Sequence, residues 1–176
     1  MRIRPALAAS LVALSVAAAA AQVRKAEVPG VVNFSRVDAT VGCGGATAPA
    51  AMIELKKHGF ASVINLRLAS ERGADVEAGR EAAQAAGLKY IHLPFDASNP
   101  DPSLVDSFLS AVADTANQPV YIHCASANRV GAVWMIKRAL QDGWPVDKAR
   151  AEAEAIGLSN ARLQEFATGY IARHQR

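Results

Sequence analysis

The 176-residue sequence has few cysteines, few aromatic residues and little net charge. Two cysteines are too few for the disulfide scaffold that replaces a hydrophobic core in many small secreted proteins. The formal net charge is +3, and two of the positive charges, Arg2 and Arg4, lie at the very start of the chain. Because nucleic-acid-binding domains carry a basic face or stripe, we expect no nucleic acid partner. Hydrophobic residues make up 51% of the sequence and charged residues 20%, which excludes a disordered protein.

The most extended apolar segment lies at the N-terminus. Residues 1–21 combine a basic start, a stretch rich in alanine and leucine, and a small-residue stop at Ala19, Ala20 and Ala21. This pattern predicts a secretory signal peptide cut after Ala21; a membrane anchor is the alternative, but the stretch is alanine-rich and marginal in length. No later segment is apolar enough to span a bilayer. We therefore expect a periplasmic or secreted protein in which residues 22–176 form one domain without a membrane span.

Strand and helix patterns alternate through the rest of the chain. The predicted strands are residues 31–34, 39–41, 62–66, 89–93 and 119–122, and the predicted helices are 47–58 with Thr47 as N-cap, 75–86, 101–117, 130–140, 146–155 and 160–173. Such alternation requires parallel strands with helices on both faces of the sheet. We expect an α/β three-layer sandwich around a central, mostly parallel sheet of four to five strands. Its core spans residues 31–142, followed by C-terminal helices at 146–173.

The most reactive side chain lies where the strand 119–122 gives way to the helix 130–140. The connecting segment is His123-Cys124-Ala125-Ser126-Ala127-Asn128-Arg129, and we call residues 124–129 the anion loop. At such a junction free backbone N–H groups and the helix dipole stabilise a thiolate nucleophile. Arg129 adds a planar guanidinium that can hold two oxygens of a tetrahedral anion. The sequence predicts an anion cradle with Cys124 at its floor; the alternative is a buried structural cysteine with Arg129 in a salt bridge.

Three pieces of sequence in a fixed order resemble the cysteine-dependent phosphatase superfamily. They are GFASVINLR at 59–67 with Glu71 after it, GLKYIHLP at 87–94 and HCASANR at 123–129. The resemblance is to the bacterial dual-specificity-like branch related to the beta-lactamase-hydrolase-like phosphatase domain (DUF442-type). It implies a protein-tyrosine or dual-specificity-like phosphatase without a cofactor, which acts on a phosphorylated small molecule or a phosphoprotein.

The same resemblance implies roles for individual residues. Cys124 would form a phosphocysteine, Arg129 would bind phosphate oxygens, and His123 would support the thiolate through hydrogen bonds. An aspartate on the loop after residues 89–93 would protonate the leaving oxygen, and we assign this role to Asp96. Asp101 is the alternative acid, but its place before a proline at a helix start is typical of an N-cap.

The sequence departs from the phosphatase pattern at three points. Only four residues separate Cys124 from Arg129, where phosphatases commonly have five. Rhodaneses share the shorter loop, so a sulfurtransferase with a Cys124 persulfide is the second hypothesis. Ala127 stands where the family usually has glycine; if the loop needs a positive φ there, alanine costs about 1 kcal/mol. Val130 replaces a common serine or threonine. A third hypothesis is therefore a catalytically decayed module that binds anions or phosphoproteins.

Arg67 and Glu71 follow the strand 62–66, at the sheet edge where the anion loop is expected. Arg67 would line the pocket and add positive potential for an anionic substrate. The alternative is an Arg67–Glu71 ion pair that holds the loop in place.

Two further expectations concern residues outside the pocket. Cys43 is a possible redox partner that forms a reversible disulfide with Cys124 in an oxidising compartment. The charged residues of the helix 146–155, Glu152 among them, are expected to face solvent. The histidines show no metal-ligand spacing, so we predict no metal site.

Overall fold

A computed structural model describes residues 23–175, so the predicted signal peptide, residues 1–21, lies outside the described residues. The strands are β1 (Arg24–Lys25), β2 (Ser35–Arg36), β3 (Val41–Gly44), β4 (Ser62–Asn65), β5 (Lys89–His92) and β6 (Val120–His123). The helices are α1 (Met52–Lys57), α2 (Val76–Ala85), α3 (Pro102–Ala113), α4 (Asn128–Leu140), α5 (Val146–Ile156) and α6 (Ala161–His174), with 3-10 turns at Pro49–Ala51 and Thr115–Asn117. Over residues 23–175, no helix combines the length and apolar character that a bilayer span requires.

The strands form one sheet in the order β1-β2-β3-β6-β4-β5. The neighbours β3, β6, β4 and β5 pair in parallel, whereas β1 and β2 add an antiparallel edge. The mostly parallel sheet is thereby confirmed, and it has six strands because two two-residue strands extend it. Since parallel strands end at the same edge, the segments after β3, β4, β5 and β6 meet there.

Side chains alternate along each strand, so they pack into two hydrophobic cores on opposite faces of the sheet. On one face Ile64 and Ile122 pack with residues of α3, α4, α5 and α6. On the other, Val63 and Tyr121 pack with residues of α1 and α2. All four strand residues are fully buried. The arrangement confirms the three-layer α/β sandwich.

The first two strands lie later in the sequence than predicted. Residues 31–34 form no strand because Asn33 adopts a left-handed φ of 53°, a conformation that asparagine tolerates better than most residues and that interrupts an extended backbone. The strand predicted at 39–41 is displaced to β3, because Asp38 makes a turn there. Its carboxylate accepts hydrogen bonds from the backbone N–H and the hydroxyl of Thr40 at 2.8 and 2.9 Å.

Thr47 does not cap a helix, contrary to the prediction. A 3-10 turn whose N-cap is Ala48 precedes α1. The hydroxyl of Thr47 donates instead to the carbonyl of Gly45 and shares a 2.8 Å hydrogen bond with the hydroxyl of Tyr121. Thr47 thus ties the segment after β3 to the central strand β6.

Glu152 lies in the core and not on a solvated face. It is 8% exposed and accepts hydrogen bonds from Trp134 Nε1 at 2.8 Å and from Arg138 Nε at 2.6 Å. The expectation was wrong because the compensating charge comes from another helix, and a buried carboxylate is stable only with such a partner.

Candidate active site

The anion loop presents a set of unpaired backbone donors at the carboxyl edge of the sheet. In the part of the chain that the structure describes, the N–H groups of residues 125–130 donate to no protein acceptor. The thirteen-residue helix α4 begins here, so its dipole adds partial positive charge. At the back of the loop, Ala46 N–H donates to Ala125 O at 2.9 Å, and a Cβ on Gly45 would lie 3.0 Å from the same oxygen. Anion binding needs such a ring of free N–H donors, held in place on its other side by the contacts of Gly45 and Ala46 with Ala125.

Ala127 makes the sharp turn within this loop. Its φ of 73° and ψ of −2° are left-handed, so the loop does need a positive φ at the position where the resemblance implies glycine. A residue with a Cβ pays about 1 kcal/mol for this conformation. The Ala127 methyl is fully buried, and a Cβ on Gly157 would lie only 3.0 Å from it. The surrounding packing therefore holds the loop against a strain of that size.

Cys124 lies at the base of the loop and has no exposed surface. It belongs to the core on the α4 face, with Cys43 and Ile122. It lies near the Arg129 guanidinium, and this proximity contributes to the raised pKa of Arg129. Cys124 thus has the burial expected of a structural cysteine, and its role as the nucleophile stays a prediction. The thiol is therefore not accessible to solvent in this structure.

Glu71 holds Arg129 through both terminal nitrogens. Arg129 Nη2 donates to Glu71 Oε2 at 2.8 Å, and Nη1 donates to Glu71 Oε1 and to the carbonyls of Leu66 and Phe95 at 3.1 and 3.0 Å. Burial opposes ionisation of both groups, but their hydrogen bonds and mutual charge outweigh it. The pKa of Glu71 falls to about 2, and the pKa of Arg129 rises. Within residues 23–175 Arg129 Nε meets no oxygen acceptor, which leaves that edge for an anion.

The bond between Glu71 and Arg129 was missed from the sequence. We paired Glu71 only with Arg67, because their spacing of four residues is a local signal. Glu71 and Arg129 are 58 positions apart, and a separation of that size gives no such signal. Two general observations could have indicated the pair. A buried arginine needs a carboxylate partner, and Glu71 follows a strand that ends at the same edge of the sheet as the anion loop.

The Arg67 side chain bonds to the segment that follows β4. It is 7% exposed; Nε donates to Glu71 Oε2 at 3.1 Å, Nη1 to Gly73 O at 2.8 Å and Nη2 to Arg72 O at 2.9 Å. The structure therefore contains the ion pair that holds the segment after β4. Arg67 and Arg129 share one carboxylate and line different cavities.

His123 lies on the sheet face opposite to Cys124, because consecutive residues alternate along a strand. It is 3% exposed and stacks on Tyr121 with ring centroids 5.8 Å apart. Both ring nitrogens are buried, and burial lowers the pKa of His123 to about 3, although hydrogen bonds with the backbone of Cys124 and Gly45 act to raise it. The imidazole is neutral at physiological pH. The role of His123 in supporting the thiolate stays a prediction.

Asp96 lines the same cavity as Arg129, which has a volume of about 380 Å³. Its Oδ1 accepts hydrogen bonds from the hydroxyl and the backbone N–H of Ser98 at 2.7 and 2.8 Å. These bonds lower the pKa of Asp96, so it is a carboxylate at neutral pH. Asp101 caps α3, as its position before a proline indicated.

Asn128 ties the anion loop to the start of α6. Its Oδ1 accepts hydrogen bonds from the backbone N–H groups of Ser159 and Asn160 at 2.7 and 2.8 Å, and its Nδ2 donates to Ser126 Oγ at 3.2 Å. Asn160 is the N-cap of α6. Ser126, Asn128 and Asn160 line the cavity beside Asp96. The loop is thus braced from the α6 side, which no sequence pattern indicated.

Cys43 and Cys124 are both free thiols. The register of β3 and β6 pairs Cys43 with Ile122, so Cys124 lies two residues farther along. Strand spacing and rise put the two Cα atoms about 8 Å apart, which is beyond the distance that a disulfide spans. Burial raises the pKa of Cys43 well above its ordinary value. The predicted reversible disulfide therefore requires a shift of the strands.

The parallel sheet, the cysteine–arginine loop at its carboxyl edge and the buried helix behind that loop define a phosphatase-like α/β domain of the cysteine-dependent class. Residues 33–141, more than half of the chain, match the family model described as beta-lactamase hydrolase-like protein, phosphatase-like domain. The chain belongs to this family, and the resemblance found in the sequence is confirmed.

Solved structures share the fold. A DUF442 protein of Shewanella putrefaciens is 22% identical with a TM-score of 0.72, over 85% of this chain and 97% of that chain. TpbA of P. aeruginosa is 20% identical with a TM-score of 0.66, over 88% and 91%. The core catalytic domain of the PP-IP phosphatase SIW14 from S. cerevisiae is 22% identical with a TM-score of 0.68, over 84% and 93%. No curated protein matches the sequence significantly.

Proposed function

We propose that the chain is an exported cysteine-dependent phosphatase that hydrolyses phosphomonoesters through a phosphocysteine on Cys124. The observation that carries the proposal is the set of free N–H groups at residues 125–130, which follow Cys124 through the anion loop and include Arg129. Phosphate oxygens are held by such donors, and a thiolate is stabilised by a neighbouring cation. The family and the fold support the same class of enzyme.

The proposed reaction has two displacements. The Cys124 thiolate attacks phosphorus, the bond from phosphorus to the ester oxygen breaks, and the leaving oxygen takes a proton from Asp96. Water then attacks the phosphocysteine, Asp96 takes a proton from that water, and the phosphorus–sulfur bond breaks to release phosphate and the thiolate. Arg129 Nε and the loop N–H groups stabilise the equatorial oxygens in both steps. Asp96 is ionised in the structure, so it needs the nearby negative charge of the substrate to raise its pKa before it can donate.

A phosphotyrosine-containing protein or a phosphorylated small molecule is the proposed substrate. The support is that a variant of TpbA, which shares this fold at 19% identity, has been crystallised in complex with phosphotyrosine. Because Cys124 has no exposed surface, we propose that the site opens when substrate binds.

A rhodanese-like sulfurtransferase is the second candidate. The observation in its favour is the interval of four residues between Cys124 and Arg129, which makes a tighter ring of donors than the common phosphatase loop. In this reaction the Cys124 thiolate takes the outer sulfur of thiosulfate with release of sulfite, and the resulting persulfide passes that sulfur to cyanide.

A decayed binding module is the third candidate. Cys124 has no exposed surface, and Ala127 holds the loop in a strained conformation. A protein of this kind would bind phosphate or sulfate tightly and turn over neither substrate.

A parallel assay separates the three candidates. The reduced protein is given an aryl phosphate in one arm and thiosulfate with cyanide in the other, each with the variants Cys124→Ala and Cys43→Ala. The proposal predicts phosphate release that is lost in Cys124→Ala and kept in Cys43→Ala, the matched removal of the other buried thiol. Phosphate release that persists in Cys124→Ala contradicts it; thiocyanate formation supports the second candidate, and binding without turnover supports the third.

The role of Asp96 has its own test. Asp96→Asn should slow the hydrolysis of esters with poor leaving groups far more than of esters with good ones, because only the former need a proton. An equal effect on both classes removes Asp96 from the acid role.

Export rests on residues 1–21 and is tested by the mature N-terminus. We expect the protein purified from the periplasm or medium to begin at Gln22. A mature protein that begins at Met1 contradicts export through a cleaved signal.

A further inference from the structure

The cavity that holds Asp96 has more negative than positive charge in its lining. We call this cavity, with its volume of about 380 Å³, the substrate cavity. Within residues 23–175, the charged side chains that line it are Glu71, Asp96 and Arg129. Two carboxylates and one guanidinium give the lining a net negative charge before any substrate binds.

The guanidinium in this lining already has a carboxylate partner. Glu71 accepts hydrogen bonds from both terminal nitrogens of Arg129, with Nη2 and Oε2 2.8 Å apart. The donors left for a ligand are Arg129 Nε and the N–H groups of residues 125–130, where the phosphoryl group is proposed to bind. A phosphoryl dianion uses these donors. The described lining then has no cation that could balance a second negative group on the substrate.

Two other arginines near the cavity donate to protein groups. Arg67 lines a different cavity, and its three guanidinium nitrogens donate to Glu71 and to carbonyls of the segment after β4. Arg162 on α6 is exposed, and its Nη1 donates to the carbonyl of Ser98 at 3.4 Å. A bound phosphoryl dianion leaves the site with a net negative charge even when Arg162 is counted and Asp96 is protonated.

Much of the uncharged lining is apolar. Leu68 comes from the segment after β4, Ala97 from the segment after β5, and Leu163 from α6. Such side chains can contact the uncharged body of a leaving group. A second anion beside them would lose hydration without gaining a partner, which is unfavourable.

We infer that the substrate cavity selects phosphomonoesters whose leaving group is uncharged or positively charged, and that it discriminates against a second phosphate or a carboxylate beside the ester. The inference rests on the proposed function for the position of the phosphoryl group, and it names the substrate class of that site. In a phosphoprotein, lysine beside the phosphotyrosine should favour binding and glutamate should weaken it. Charges roughly 8–10 Å from the carboxylates change the affinity by about three- to ten-fold.

The test uses three phosphotyrosine peptides that differ only in the residues on either side of the phosphotyrosine, which are lysine, serine or glutamate. Dissociation constants are measured with Cys124→Ser, and kcat/KM is measured with the reduced native protein. We expect the lysine peptide to bind about three- to ten-fold more tightly than the serine peptide, and the glutamate peptide to bind more weakly by a similar factor. Raising the salt from about 0.05 M to about 0.5 M should reduce both differences, because salt screens exposed charges.

A lysine placed in the lining should change this preference. Ala97→Lys adds a cation and should tighten the binding of the glutamate peptide by about three- to ten-fold. Ala85→Lys is the matched control, because Ala85 is exposed at the end of α2 that leads into β5, at the opposite edge of the sheet. This control should leave the preference unchanged. If a variant fails to fold, as seen by circular dichroism, the peptide series with the native protein still decides.

The outcomes separate this inference from the proposed function. Equal affinity for the three peptides, a preference for the glutamate peptide, or no binding of any peptide overturns the inference. Binding in the expected order without phosphate release by the reduced native protein supports the inference and contradicts the proposed hydrolysis.

Discussion

Removing the charge of Glu71 should destabilise the protein by about 3 kcal/mol. Glu71 is the one carboxylate shared by Arg67 and Arg129, each 7% exposed. Folding lowers its pKa from 4.5 to about 2. A difference of that size corresponds to about 3 kcal/mol. A second basis for the magnitude is that loss of one partner from a buried ion pair generally costs about 3–5 kcal/mol. Glu71→Gln keeps the shape of the side chain and removes this stabilisation.

The effect should depend on pH in a defined direction. Because the folded pKa of Glu71 lies below the unfolded one, its contribution is present above about pH 4.5 and is lost as the pH falls toward 2. The difference in stability between the native protein and Glu71→Gln should therefore be about 3 kcal/mol at pH 7 and approach zero near pH 2. At neutral pH it should appear as a melting temperature lower by about 6–12 °C.

Urea unfolding followed by tryptophan fluorescence measures this difference at each pH. Glu77→Gln is the control, because Glu77 is 76% exposed in its pair with Arg80 and should change stability by less than about 0.5 kcal/mol. The reasoning would be refuted if Glu71→Gln lost less than about 1 kcal/mol of stability at pH 7. It would also be refuted if the difference in stability between the native protein and the variant did not become smaller at acid pH.

Three other outcomes are expected. Ala127→Gly should stay within about 0.5 kcal/mol of the native stability in urea unfolding, because relief of about 1 kcal/mol of strain offsets the lost methyl group. The control Ala132→Gly, at a buried position within α4, should cost about 2 kcal/mol. Equal losses of stability in the two variants would contradict the claim that Ala127 is strained. Glu152→Ala should cost about 3 kcal/mol in the same assay, against less than about 0.5 kcal/mol for the exposed Glu154→Ala. Thiol titration of the unreduced, unfolded protein should count two free thiols, and a count of zero would show that the strands shift to form the bridge.

The sequence predicted well those features that repeat along the chain. The alternation of strands and helices indicated the α/β sandwich. The helix cap Asp101 followed from residue type and position alone. These signals are local, so a single sequence contains them.

The features missed from the sequence depend on residues far apart in the chain. The partners of Glu71 and Glu152 are arginines on other elements, and the brace at Asn128 comes from the start of α6. The first strands were displaced because Asn33 adopts a left-handed conformation, which residue type permits but does not require. Tertiary packing decided each of these cases.

The most direct test of the proposed mechanism is to trap the phosphoryl group on sulfur. The reduced Asp96→Asn variant is mixed with an aryl phosphate, quenched during turnover and digested, and the peptides are analysed by mass spectrometry. The mechanism predicts one phosphorylated residue, Cys124. Phosphate release with no modified cysteine, or with the phosphoryl group on any other residue, would contradict it.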